Sequence, residues 1–122
     1  MKKFSLLALF SLAAAFSFNA QAADRVGDFF LIDDEGKGHQ LSKYAFNKAV
    51  VIVSQQNGCT ANQENIARYK QLRTNFDHRG VSFVMLNASD EDTREDIIAE
   101  EAVWNYDLPI MDDDSQLVAE SL

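Results

Sequence analysis

Ala49-Val50-Val51-Ile52-Val53-Ser54-Gln55-Gln56-Asn57-Gly58-Cys59-Thr60 is the stretch that decides the fold. It opens on an unbroken apolar run, β-branched from Val50 to Val53 and too apolar for a strand with one wet face, so it reads as a central, buried strand. The polar segment Ser54 to Gly58 ends that run. Beyond it Ile66, Tyr69, Leu72 and Phe76 recur at helical spacing until Arg79-Gly80 closes the segment, which predicts a helix from about Thr60 to Phe76. Cys59 then stands between a buried strand and the first turn of a helix. Backbone N–H groups and the positive end of the helix dipole at such a junction favour thiolate, the species that attacks peroxides and disulfides.

Working outward, Val81 to Leu86 is a second buried strand by the same test. Ser89 followed by Asp92 predicts the start of a helix that carries Ile97, Ile98, Ala102 and Val103 on one side. Pro109-Ile110-Met111 is a short extended piece, and Asp112-Asp113-Asp114 precedes a last helix expected near Ser115. Upstream, Asp28 to Ile32 and His39 to Leu41 flank the turn-forming Asp33 to Gly38, the pattern of a hairpin, and Ser42 can cap one helical turn through Phe46. Strand, helix, strand, helix, strand in this order predicts an α/β domain with parallel core strands and right-handed crossovers in three layers. Trp104, Tyr106 and Phe83 read as core aromatics.

The first residues bear on the compartment. Lys2 and Lys3 precede an apolar or small run from Phe4 to Phe18, and Ala20-Gln21-Ala22 supplies the small residues a signal peptidase requires. The run is shorter than the ~20 residues a helical membrane anchor needs, so residues 1–22 read as a signal peptide cut after Ala22. The expected product is one domain, residues 23–122, free in a periplasmic or secreted space with no membrane attachment. The formal net charge is −8 and becomes more negative once Lys2 and Lys3 are removed. Between Asp90 and Glu120 twelve carboxylates face Arg94 alone, which argues against nucleic acid as a partner and reads as a solvated acidic face.

The run Val26-Gly27-Asp28-Phe29, the turn Asp34-Glu35-Gly36-Lys37, Leu41-Ser42-Lys43-Tyr44, Val50 to Val53, Cys59 and Gly80-Val81-Ser82-Phe83-Val84 resembles the redoxin family related to alkyl hydroperoxide reductases and thiol-specific antioxidants. The resemblance runs from Val26 to Leu122. It implies a thioredoxin-like three-layer α/β domain, a mostly parallel sheet with an N-terminal β-hairpin, and thiol redox chemistry of the peroxiredoxin kind, with Cys59 as the catalytic residue. Gln56, Gly58, Thr60 and Asn62 would be the residues supporting the thiol. Reductases of this fold carry Trp-Cys-x-x-Cys, whereas here Gly58 precedes the cysteine and Asn62 takes the place of the second one. Family peroxidases carry Thr three residues before the reactive cysteine, a place held here by Gln56, whose amide could still hydrogen-bond an oxygen. In the family two antiparallel strands and a final helix would come next. The first of those strands pairs with the free side of Val50 to Val53, so the resemblance implies a C-terminally truncated domain. Its open edge is a place for homo-association. The resemblance also sets the strand at Pro109 to Met111 beside Val81 to Leu86, with the helices from Thr60 and Asp92 on one face.

Two readings of function stand. In the first, Cys59 reduces a peroxide or exchanges with a disulfide, and an external thiol reductant or disulfide partner protein resolves it, since the chain holds one cysteine. In the second, the domain is a degenerate redoxin module that binds a partner, with Cys59 a small buried side chain. No cofactor is expected. His39 and His78 read as surface residues, the histidine and cysteine spacing gives no metal site, and Asp112 to Asp114 reads as a helix cap rather than a calcium loop.

Overall fold

The acidic turn Asp33 to Lys37 reverses the chain where the hairpin pattern places it. β1 (Phe30–Asp33) pairs antiparallel with β2 (Gly38–Gln40), and Asp33 Oδ1 accepts the Lys37 amide at 2.8 Å across the turn. The structure is a computed structural model that describes residues 25–122; the signal-peptide expectation for residues 1–22 lies outside the described residues. The chain continues through β3 (Ala49–Gln55), α1 (Thr60–Glu64), α2 (Ile66–Phe76), β4 (Val81–Asn87), α3 (Arg94–Trp104), β5 (Ile110–Asp112) and α4 (Leu117–Ser121). One sheet has the order β2-β1-β5-β4-β3, with β3, β4 and β5 parallel and β1 antiparallel to β5.

The two faces of the sheet carry separate cores. On one, Met85, Ile97, Tyr106, Leu108 and Ile110 are buried, with Ile66 and Tyr69 of α2 packed on them. Both α2 and α3 therefore cover the same face, as two crossovers of one hand require. On the other, Val84, Leu86 and Met111 pack with Val118, Leu31, Phe29 and Tyr44, so α4 and the turn at Leu41–Tyr44 cover the opposite face of the sheet.

Several local expectations are corrected. The reading of Val50 to Val53 as a central strand gives way to the open edge that the resemblance implies: β3 lies at the sheet edge, hydrogen-bonded to β4 alone among the described residues, and β4 takes the interior position beside it. Val51 is 36% exposed while Met85 is 0% exposed, because an apolar run only demands cover on its faces and the pairing order decides which strand obtains it. The helix expected from Thr60 to Phe76 breaks at Asn65 (φ −101°, ψ 5°). Asn65 Nδ2 donates to the Ala61 carbonyl at 2.8 Å, while its own amide turns back to Asn62 O at 3.1 Å, so a side chain displaces the regular ladder.

Ser42 does not cap the turn at Leu41–Tyr44; its amide donates to Asp28 Oδ1 at 2.8 Å. Hydrogen bonds from Gln40 and then from the Ser42 amide hold the Asp28 carboxyl below the usual carboxylate range. α3 starts later than Ser89 and Asp92 suggest. Its cap is Thr93, in a reciprocal capping box with Asp96. Of its expected apolar face only Ile97 is buried; Ile98, Val103 and Trp104 are exposed, which removes Trp104 from the core. Tyr106 is fully buried and Phe83 packs against the same core. The aspartate triplet does cap the last helix. Asp113 accepts the amides of Val118 at 3.3 Å and Ala119 at 2.8 Å, and the helix begins two residues beyond the expected start at Ser115. His39 is no surface residue: it sits half-buried between Asp33 Oδ2 at 2.7 Å and the Tyr44 hydroxyl at 2.6 Å. There it ties the hairpin to the turn after it.

Candidate functional site

Parallel strands end together, and the loops beyond their C-terminal ends form the site. β3 and β4 end on Gln55 and Asn87, register partners that are both buried. Polar side chains at the ends of two apolar strands need partners there, and they find them in each other and in the loop above. Asn87 Nδ2 donates to Gln55 Oε1 at 2.8 Å and to Asp92 Oδ2 at 2.9 Å, and Gln55 Nε2 donates to Asn57 Oδ1 at 3.1 Å. This network forms the floor beneath the Cys59 loop.

The loop itself is fixed by its backbone. Gly58 has φ +72°, a left-handed conformation that a side chain would strain although a Cβ there would meet nothing within 4 Å, so glycine serves the backbone rather than the space. The Cys59 amide donates to Gln56 O at 3.1 Å, closing the turn, and Cys59 is the N-cap of α1 with extended φ −70°, ψ 105°. The thiol is free and partly exposed, and no side chain caps the helix it precedes. The amides of the two residues before the cysteine are both held by carboxylates from far along the chain. Asn57 N donates to Asp92 Oδ2 at 3.0 Å, and Gly58 N to Glu100 Oε1 at 3.3 Å. Glu100 Oε1 also accepts from Gln63 Nε2 and from the Tyr106 hydroxyl, each at 3.1 Å. Burial first, and then the neighbouring Glu100 charge, push the Tyr106 hydroxyl far above its usual range, so it remains a donor.

The residues expected around the thiol separate in space. Gly58 and Thr60 flank Cys59 and are exposed. Gln56 is exposed and lines a cleft of about 420 Å³ with Ser54, Ser89, Glu91 and Gln116, on the loop side of the strand ends. Asn62 is buried and its Nδ2 donates to the Ser54 carbonyl at 2.9 Å, so it fastens α1 to β3. Sequence reasoning misses Gln55, Asn87, Asp92, Glu100 and Tyr106 as parts of the site. For the first two a signal is present: a polar residue ending each apolar strand run. Among the described residues no group of three or more His, Cys, Asp or Glu side chains is placed to hold a metal ion.

No curated protein matches the chain. Among solved structures it is similar to a hypothetical protein of Sinorhizobium meliloti 1021, with 26% identity and a TM-score of 0.68, over 79% of this chain and 55% of that one. Peroxidoxin BcpB of Mycobacterium tuberculosis gives 24% identity and a TM-score of 0.64, over 80% of this chain and 62% of that one. An exposed lipoprotein thioredoxin of Streptococcus pneumoniae gives 18% identity and a TM-score of 0.67, over 77% and 71%. The chain thus spans little more than half the length of the first of these. The fold is the thioredoxin-like α/β fold, with a mixed sheet between helical layers. The family model for the AhpC/TSA family matches residues 22–122, the whole of the described domain, and the chain belongs to that family.

Proposed function

We propose that the protein is an exported thiol-dependent redox protein that acts through Cys59 on a peroxide or a disulfide. The observation that carries this reading is the position of the thiol. It is partly exposed at the N-terminus of α1, directly beyond the C-terminal end of parallel strand β3, in a chain of the AhpC/TSA family. With a peroxide, the thiolate sulfur attacks one oxygen of ROOH, the O–O bond breaks, and the products are the sulfenic acid and ROH after protonation. An external thiol then condenses with the sulfenic acid to a mixed disulfide and water, and a second thiol releases Cys59 by exchange. With a disulfide the mixed disulfide forms directly. The chain holds one cysteine, so the resolving thiol comes from a reductant or partner protein. Export rests on the leader at residues 1–22, and the edge of β3 at Val50 to Val53, unpaired among the described residues, offers a place for two copies to associate.

A second reading, a non-catalytic redoxin module that binds a partner, has its own support. Asp92 and Glu100 already take the two amides before Cys59, and Gln56 stands where family peroxidases have a hydroxyl. One experiment separates the two. Under mild peroxide the native protein should give a sulfenic acid that dimedone traps, or a linked dimer that reductant dissolves, and Cys59→Ser should give neither. A thiol left unmodified until the protein unfolds would favour the binding module.

A further inference from the structure

Glu100 lies on α3, forty-one residues beyond the cysteine, and nothing in the sequence marks it among the acidic residues around it. Its Oε1 gathers three donors: the Gly58 amide from the loop before Cys59, the Gln63 side chain from the helix after it, and the buried Tyr106 hydroxyl. These donors come from three segments, and two of them bracket the thiol in sequence. A carboxylate accepting from neutral donors forms stronger bonds than a neutral acceptor, and Tyr106, fully buried, fixes the place where that carboxylate must sit. The loop and the first turn of α1 are thereby referred to one point on α3.

We infer that Glu100 is a positioning residue for Cys59: through Gly58 and Gln63 it sets the conformation in which the thiol is presented. The inference rests on the reading of Cys59 as the reactive thiol, and it deepens that reading by naming what holds the site in place. Asp92 plays a different part. It is tied into the Asn87 floor and holds Asn57, one residue farther from the cysteine. Of the two carboxylates, Glu100 is the one that joins both sides of Cys59.

The test uses the full chain in three forms: native, Glu100→Ala and Glu100→Gln. Two quantities are read, hydrogen exchange at the Gly58 amide and the rate of dimedone-trapped sulfenic acid formation at Cys59 under peroxide. Losing the charged acceptor should speed Gly58 exchange and slow sulfenic acid formation about tenfold each in Glu100→Ala. Glutamine keeps an oxygen at the same reach, so Glu100→Gln should restore both to within about twofold of native. A merely structural glutamate would not give this pattern, because a general loss of stability would accelerate exchange across α3 and not at the loop alone. Glu100→Ala matching the native protein in both readings would overturn the inference, as would Glu100→Gln failing as badly as alanine. Should Glu100→Ala not fold, Gln63→Ala removes the tie from Glu100 to α1 while leaving the Gly58 bond in place, and an unchanged rate of sulfenic acid formation would then overturn it. If the native thiol does not react with peroxide at all, the peroxide arm of the redox reading fails, while the exchange pattern still decides the role of Glu100.

Discussion

Asn87 and Gln55, the last residues of β4 and β3, are register partners joined by a buried hydrogen bond of 2.8 Å from Asn87 Nδ2 to Gln55 Oε1. Asn87 also donates to Asp92 and accepts the Ser89 amide at 2.9 Å, so one side chain serves two strands and the segment leading to α3. Asn87→Ala would leave Gln55 Oε1 buried and unpaired and would remove a donor from a carboxylate. The expected cost is about 2–3 kcal/mol, read from urea unfolding of the variant against the native protein. A difference below about 0.5 kcal/mol would mean that water replaces the lost partners and that the floor under the loop is wet.

This floor marks where the sequence stops being legible. The parallel strands and the strand-to-helix junction at Cys59 can be read from Val50 to Val53, Val81 to Leu86 and the spacing of Ile66, Tyr69 and Phe76, because burial on both faces and helical periodicity are local signals. The place of β3 in the sheet cannot be read from its apolar run; only the family resemblance points to the open edge. An apolar run records how much cover a strand needs, and pairing order is settled by segments far away, here β5 inserting between β1 and β4. The start of α3 escapes the sequence for a related reason. Ser89 Oγ is taken up by the Glu91 amide at 3.2 Å in a local turn and the Ser89 amide by Asn87 Oδ1, so the cap falls to Thr93 with Asp96. Glu100 is invisible there because one acidic residue among twelve carries no periodic signal; only the fold brings it to Gly58.

A pH-dependent prediction comes from β5. Asp112 lies part-buried, its Oδ1 is without a hydrogen-bond partner among the described residues, and burial together with the charge of Asp114 holds its carboxyl above the usual range, with Arg94 offsetting only part of this. An acid whose folded-state pKa is raised favours folding in its protonated form. That contribution is fully present below the reference value of 3.8 and is lost as pH rises through the folded value. Asp112→Asn removes the penalty of ionisation, so it should stabilise the protein at neutral pH by a few tenths to about 1 kcal/mol, as suits a part-exposed group. The gain should shrink on acidification. Thermal melts at neutral and acid pH check this, and an equal gain at both would assign the effect to packing instead of charge.

Processing is open to a direct measurement. The small residues Ala20 and Ala22 flank Gln21 behind an apolar run, so the exported protein should begin at Ala23. Intact mass spectrometry of material released from the cell envelope reads the first residue. A mass that retains Met1 on exported protein would count against cleavage and would revive the membrane-anchor reading for residues 4–18. Among the described residues no helix is long and apolar enough to cross a membrane.

The most apolar strand of the chain is also one with a free side, and this combination has a consequence in solution. β3 pairs with β4 along all seven of its residues, from Ala49↔Val81 to Gln55↔Asn87, which leaves the opposite row of N–H and C=O groups without a neighbouring strand among the described residues. Val50 and Ile52, with Leu86, Ala119 and Leu122, line an apolar cleft of about 440 Å³ beside that edge. No residue between Ala49 and Gln55 carries a charge, whereas natural edges are commonly protected by lysine, proline or a bulge. A second copy can extend the sheet across this edge and cover the cleft in the same step. Self-association should therefore grow with protein concentration in sedimentation velocity. Val51→Lys, at an exposed position of the edge that gives up little core, should weaken the association about tenfold or more, since an unpaired ammonium would be drawn into the contact. A native protein that stays monomeric up to its solubility limit and unfolds in one cooperative transition would show that the edge needs no partner, and the association through β3 would then be abandoned.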